Sequence, residues 1–252
     1  MQAIVLAAGY ATRLYPLTKD RPKPLLKIGE KTILDYLLEQ FKELDIINKV
    51  YIVTNEKFYK NFQDWVSVNK DSVICKNLEI TVISDGTTSN DTRLGAIGDI
   101  QFVARFNKID QDVLVAAGDN VFTTHFTGML DLFKSKDTDV FLAHPVEKLE
   151  KLKRSGIMEL DEKQRIIGFE EKPAVPRSNF VAPAFYMYKN STLKLLNDYL
   201  TEGNNPDAPG NFTAWLYRKK TIYAYVMKEP YYDIGTLEAY NAVCDKFKTR
   251  KK

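Results

Sequence analysis

Gln2-Ala-Ile-Val-Leu-Ala-Ala-Gly-Tyr-Ala-Thr-Arg-Leu14 opens the chain and decides how the rest is read. The unbroken apolar run from Ala3 to Ala8 reads as a strand covered on both faces, because strands of parallel sheets show continuous rather than alternating hydrophobicity. The strand runs straight into a loop of small residues. Gly9 permits backbone conformations closed to other residues. Ala8, Ala11 and Thr12 are small enough for an anion to approach the main chain. Arg13 follows, and Lys23 stands in Arg21-Pro-Lys-Pro24, where two prolines stiffen the backbone. Main-chain N–H groups after a strand, with two cations nearby, suit a triphosphate. The same features also fit an ordinary strand–helix turn with surface cations. The loop matches neither Gly-x-x-x-x-Gly-Lys-Ser/Thr nor Gly-x-Gly-x-x-Gly, so a Walker loop and a dinucleotide fold are disfavoured.

Outward from this stretch, apolar runs recur at Val50 to Thr54, Leu78 to Ser84, Val113 to Ala117 and Val140 to Pro145. Ile33, Leu34, Leu37, Leu38 and Phe41 fall at helical spacing, as do Phe58, Phe62 and Trp65. Strand–helix alternation predicts an α/β chain with a mixed, mainly parallel, Rossmann-like sheet flanked by helices. Ligands of such sheets bind beyond the carboxyl ends of the strands. From about Gly156 the texture changes. Ile157 to Pro173 reads as two strands joined by a polar turn, Phe180 to Tyr188 as one more strand, and Thr221 to Met227 as another. Helices are expected at Thr192 to Leu200, around Trp215 and at Leu237 to Phe247. The expectation is one domain over 1–252 with a small antiparallel acceptor-side lobe, 1–145 being mainly nucleotide-binding and 146–252 mainly acceptor-binding.

Composition bounds the partners. The net charge is +3 over 252 residues, too weak for a polyanion binder. The one basic run, Lys246 to Lys252, reads as a solvated end rather than a nucleic-acid or membrane patch. Two distant cysteines, Cys75 and Cys244, give no disulfide framework and no zinc site. The first apolar run is too short for a signal core or a membrane span, so a cytoplasmic setting is expected.

Three further segments carry carboxylates. Val113-Leu-Val-Ala-Ala-Gly-Asp-Asn120 delivers Asp119 at the end of a strand, where it can hold Mg²⁺ or cap a turn. Tyr231-Tyr-Asp-Ile-Gly-Thr236 offers Asp233 as a second ligand, with Thr236 a candidate N-cap. Gly168-Phe-Glu-Glu-Lys-Pro173 places two carboxylates and a lysine at a strand end stopped by a proline.

In this order the four segments closely resemble the motifs of the sugar-1-phosphate nucleotidylyltransferases, the glucose-1-phosphate thymidylyl- and uridylyl- and mannose-1-phosphate guanylyltransferases. The resemblance spans nearly the whole chain and implies the nucleotide-diphospho-sugar transferase fold. It implies that Leu6, Ala7, Ala8, Gly9, Thr12, Arg13, Lys23, Asp85, Gly86 and Asp119 contact the nucleotide, with Arg13 and Lys23 catalytic. It implies Mg²⁺ on Asp119 and Asp233, and an acceptor held by Asn120, Gly156, Glu171 and Lys172. The chain departs from the pattern in three places. Ala11 stands where a glycine is common, a change that suits a negative φ. The base-side element from Asp85 to Asp99 is longer than usual. Val181-Ala-Pro-Ala-Phe-Tyr lacks a glycine before its aromatic pair.

The implied reaction moves a nucleotidyl group from an NTP to a sugar 1-phosphate. A phosphate monoester is largely dianionic at pH 7, so it needs no general base, and neither His125 nor His144 is required. Positive charge must instead offset the repulsion between two anions. The same chemistry on phosphocholine is the alternative. That acceptor calls for an aromatic cage, to which Tyr186, Tyr188, Trp215, Tyr231 and Tyr232 could contribute if they are not core. A catalytically silent nucleotide sensor is disfavoured because Arg13, Lys23 and both aspartates are present. The base, the sugar and self-association stay open.

Overall fold

The structure is a computed structural model that describes residues 1–249. Of the basic run, Arg250, Lys251 and Lys252 lie outside the described residues. The first elements are β1 (Gln2–Leu6), β2 (Lys27–Ile28), β3 (Lys31–Thr32), α1 (Ile33–Glu43), β4 (Lys49–Thr54), α2 (Glu56–Asn69) and β5 (Glu79–Ser84). Then come α3 (Gly95–Phe106), β6 (Val113–Ala117), β7 (Asn120–Phe122), α4 (Thr127–Lys136), β8 (Val140–Pro145), α5 (Leu149–Leu152), β9 (Gly156–Leu160) and β10 (Ile166–Glu171). The chain closes with β11 (Phe180–Val181), β12 (Phe185–Tyr188), α6 (Asn190–Thr201), α7 (Pro209–Leu216), β13 (Tyr223–Val226), β14 (Tyr231–Asp233) and α8 (Leu237–Thr249). The fold is of the class expected, a mixed, mainly parallel sheet flanked by helices with a smaller antiparallel lobe. No helix among the described residues is long and apolar enough to cross a membrane.

The chain divides into two compact units that interleave in sequence. The first comprises Met1–Arg93, Ala117–His125 and the segment from Glu229 onward; the second comprises Leu94–Ala116 and Phe126–Lys228.

In the first unit, β1 pairs parallel with β4, and β4 with β5. Ala3, Ile4 and Val5 are all fully buried, as a strand covered on both faces requires. Helix α1 begins at a capping box, in which Thr32 accepts from the Asp35 N–H and Asp35 accepts from that of Thr32. Its residues Ile33, Leu34, Leu37, Leu38 and Phe41 are all buried, the helical spacing read from sequence. The short strands β7 and β14 pair antiparallel with Asn120 opposite Asp233. Thr236 accepts from the Ala239 N–H and so caps α8 as expected.

In the second unit the strand order is β10-β9-β11-β8-β12-β6, with β13 parallel to β8. Strands β9 and β10 form the expected hairpin. The single strand expected over Phe180 to Tyr188 is two, β11 and β12. Pro183 has no N–H to continue a ladder, its carbonyl accepts from Phe185 at 2.7 Å, and the Ala182 N–H turns aside to the Gly156 carbonyl. Tyr186 and Tyr188 meet the Phe141 ring edge-on at 4.8 and 5.2 Å and are buried core.

Candidate functional site

The first loop is tied down by its carbonyls. Thr54 Oγ1 donates to the Ala7 carbonyl at 3.3 Å and Asn55 Nδ2 to that of Ala8 at 2.8 Å. The Leu6 carbonyl accepts the Gly118 N–H at 2.9 Å. The N–H groups are disposed differently. Those of Gly9, Tyr10, Ala11, Thr12 and Arg13 have no acceptor among the described residues. A run of unpaired N–H groups on a turn is an anion-binding arrangement.

The turn itself corrects the sequence reading. The left-handed residue is Ala11, at φ 49° and ψ 39°, and Gly9 has no positive φ. Two donors hold the Ala11 carbonyl, the buried Thr18 hydroxyl at 2.8 Å and the Leu14 N–H at 3.0 Å. An alanine in this region costs about 1–2 kcal/mol. The Ala11→Gly variant is therefore expected to be more stable by about 1 kcal/mol, after allowing for the greater freedom of glycine in the unfolded chain. A higher urea midpoint at unchanged slope checks it.

Asn55 was missed from sequence. It is fully buried, and its Oδ1 accepts the Phe58 N–H at 3.1 Å while its Nδ2 holds the loop. One side chain thus caps α2 and anchors the loop after β1. The signal was present as an asparagine between a strand and an amphipathic helix. Asn55→Ala loses the cap and orphans the Ala8 carbonyl, so a loss of about 2 kcal/mol is expected in a denaturant titration.

Arg13 is exposed on the short 3₁₀ turn Thr12–Leu14 and has no carboxylate partner among the described residues. Lys23 lies on a second such turn, Lys23–Leu25, flanked by Pro22 and Pro24. It is buried, and its Nζ sits 2.7 Å from Asp119 Oδ2. The close approach rests on Gly118, where a Cβ would stand 3.0 Å from Pro24 Cγ and 3.2 Å from the Leu6 carbonyl oxygen.

Asp233 is exposed on β14, and the next residue's N–H donates to the Asp119 carbonyl at 3.2 Å. The buried Tyr231 hydroxyl feels both carboxylates. Burial raises its pKa most, and the charges of Asp233 and Asp119 raise it further. Asp119, in the turn just before β7, and Asp233, at the end of β14, therefore both lie close to one phenol. Asn120, opposite Asp233, is buried. No group of three or more His, Cys, Asp or Glu side chains placed to hold a metal ion occurs among the described residues. A pair of carboxylates is nevertheless the donor set Mg²⁺ takes when phosphate oxygens complete the shell.

Asp85 follows β5 and is buried; its Oδ1 accepts both the N–H and the hydroxyl of Thr87 at 2.7 Å. The Tyr10 hydroxyl donates to the Thr87 carbonyl at 3.3 Å. Gly86 takes the left-handed conformation, φ 76°. The extra length beyond it is accounted for by the 3₁₀ turn Asn90–Thr92 before α3 begins at Gly95.

The second unit holds the remaining expected residues together. Gly156 opens β9 opposite Glu171 at the end of β10. Glu171 Oε1 lies 3.4 Å from Lys172 Nζ. Burial raises the Glu171 pKa, against the lowering effect of Lys172. Lys172 itself is left-handed at φ 49° and exposed. His125 pairs with Glu43 at the surface and His144 Nδ1 faces the Met227 carbonyl. The aromatic candidates divide between the units. Tyr186 and Tyr188 are core, Trp215 donates to Glu202 and stacks on Phe212, and Tyr231 stacks on Phe122.

Comparison with known proteins follows the same lines. The family model described as Nucleotidyl transferase matches residues 2–250. Glucose-1-phosphate adenylyltransferase of Desulfitobacterium hafniense (strain Y51) is 29% identical over 251 residues, covering 94% of this chain and 62% of the relative. That of Clostridium acetobutylicum is 28% identical, covering 94% of this chain and 64% of the relative. The chain thus spans less than two thirds of the length of these curated relatives. Among solved structures, UDP-glucose pyrophosphorylase complexed with UDP-glucose superposes with a TM-score of 0.83 at 20% identity, over 99% of this chain and 98% of that one.

Proposed function

Because the chain belongs to the nucleotidyl transferase family, we propose that it transfers a nucleoside monophosphate from an NTP to a sugar 1-phosphate, releasing pyrophosphate. The observation that carries this reading is the row of unpaired N–H groups from Gly9 to Arg13, on the same unit as the Lys23–Asp119 pair. Those N–H groups and the Arg13 guanidinium take the β- and γ-phosphates. Lys23 takes the α-phosphate. An oxygen of the acceptor phosphate attacks the α-phosphorus, and the bond from that phosphorus to the bridging oxygen breaks. Pyrophosphate leaves with the electron pair, and no proton transfer is required.

Asp119 and Asp233 would hold Mg²⁺, which would offset the negative charge of the phosphates. Lys23, 2.7 Å from Asp119, is the protein's own cation beside that carboxylate and within the same unit as the N–H row. Charge neutralisation and alignment supply the rate enhancement, as in other phosphoryl-type transfers. In the acceptor half, Glu171 accepts sugar hydroxyls, Lys172 binds the acceptor's phosphate, and Gly156 adds a backbone contact; Asn120, on the first unit, is the remaining residue proposed for the acceptor. Asp85 and Gly86 lie on the side of the base.

The phosphocholine alternative gets no support from the aromatic side chains. Tyr186 and Tyr188 are spent in the core, and Trp215 is occupied by Phe212 and Glu202. A cation cage needs ring faces open to the ligand. The test is pyrophosphate release from a panel of NTPs against several sugar 1-phosphates and phosphocholine, with and without Mg²⁺. Release with a sugar 1-phosphate is expected. Release with phosphocholine alone would replace the acceptor assignment, and none at all would remove the proposal.

A further inference from the structure

Glu171 has an unusual seat. Its carboxylate lies between two residues without side chains, Gly156 at the start of β9 and Gly210 in the first turn of α7. A Cβ built on Gly156 would stand 3.0 Å from Glu171 Oε2 and 2.6 Å from Phe169 Cζ. A Cβ built on Gly210 would overlap the same Oε2 outright, with Glu171 Cδ at 2.9 Å and Phe169 Cε1 at 3.0 Å. Both glycines are buried, and both lie in the second unit with Glu171. Neither has a positive φ, so turn geometry does not demand a glycine at either place. Space for the carboxylate is what each provides.

We propose that Gly210 is a positioning residue of the acceptor site, keeping open the slot that fixes where the Glu171 carboxylate stands. This rests on the assignment of Glu171 to acceptor hydroxyls. A carboxylate that must accept hydroxyls in a fixed direction gains from being confined before the ligand arrives. The slot does this by its walls, with Lys172 supplying the charge partner at 3.4 Å. The atom in the way at Gly210 is the far end of a flexible side chain, not backbone. A methyl group there displaces the carboxylate and leaves α7 in place.

The experiment is Gly210→Ala in the full chain, read in two ways. In ¹³C NMR titrations, wild-type Glu171 is expected to titrate above the usual carboxylate range, as its burial dictates. In Gly210→Ala it returns toward that range as the carboxylate swings into water. In steady-state kinetics the acceptor KM rises by about tenfold or more, the loss expected when a charged hydrogen-bond partner is displaced, with the NTP KM and kcat near wild type. Adding Gly210→Ala to Glu171→Ala brings no further rise, because the carboxylate through which Gly210 acts is then already gone.

An unchanged titration overturns the slot. A changed titration with an unchanged acceptor KM overturns the positioning role, as does an additive double variant. Loss of the fold in Gly210→Ala also overturns it, since what stands in the way is the end of the Glu171 side chain and the edge of the Phe169 ring, not backbone. If wild type releases no pyrophosphate with any sugar 1-phosphate, the functional assignment and the acceptor role fall together, and the titration alone decides whether the slot exists.

Discussion

Replacing Asp119 by alanine is expected to lower kcat to below about one thousandth of wild type while the chain stays folded. Two roles are lost together. The carboxylate proposed to hold Mg²⁺ disappears, and Lys23 loses the oxygen 2.7 Å from its Nζ. The ammonium is buried, so without a partner it settles elsewhere and no longer waits at the place proposed for the α-phosphate. Asp119→Asn separates the roles. It keeps an oxygen within reach of Lys23 but removes the negative charge a divalent ion needs. If the Asp119→Asn variant supports near-normal turnover at ordinary Mg²⁺ concentrations, Asp119 is not a metal ligand. Circular dichroism and a melting curve check that the fold survives in both variants. Asp233→Ala is expected to fall in the same direction by a smaller factor, because Asp233 is the more exposed of the two carboxylates.

The second large effect is on stability and lies in the second unit. Asp139 is fully buried and accepts three donors: the Lys189 N–H at 2.7 Å, the Thr192 hydroxyl at 2.7 Å and Lys220 Nζ at 3.0 Å. Asp139→Ala leaves Lys220 Nζ with the neutral Thr192 hydroxyl at 2.8 Å in place of a carboxylate and takes the acceptor from two other donors, with an expected cost of about 3–5 kcal/mol in a urea titration. Adding Lys220→Met is expected to recover part of that loss, because removing a whole buried pair costs less than breaking it. Burial raises the Asp139 pKa despite the lowering effect of Lys220. The folded chain therefore holds this proton more tightly than the unfolded one. The stability from that difference is complete below the unfolded value, about 3.9, and is lost as pH rises through the higher folded value. An Asp139→Ala variant with wild-type stability would show that the three donors find other acceptors.

Much of this was legible before any coordinates. The apolar run of β1, the helical spacing of α1 and the hairpin of β9 and β10 follow from periodicity and turn residues, which are local properties. The cations and carboxylates of the candidate site stood out because charged residues were set at strand ends or between prolines. What escaped was non-local. Nothing near Asn55 says that its amide reaches back to the Ala8 carbonyl, and nothing near Gly210 says that Glu171 needs the room. The interleaving of the two units was equally hidden, because exchange of chain at residues 94, 117, 126 and 229 leaves no mark in composition. The turn at Ala11 was misjudged for another reason. Glycine is the default for a left-handed residue, and here two hydrogen bonds to the Ala11 carbonyl hold an alanine in that conformation instead.

The central claim is that the N–H groups after β1 receive the phosphates of an NTP. Backbone-assigned ¹H–¹⁵N NMR of the whole chain, titrated with Mg²⁺ and the NTP that the pyrophosphate assay selects, measures this directly. The account predicts that the amides of Gly9 to Arg13 shift together and saturably, downfield as new acceptors reach them, and that Arg13→Ala weakens the response. Saturable NTP binding that leaves those five amides where they were would contradict it.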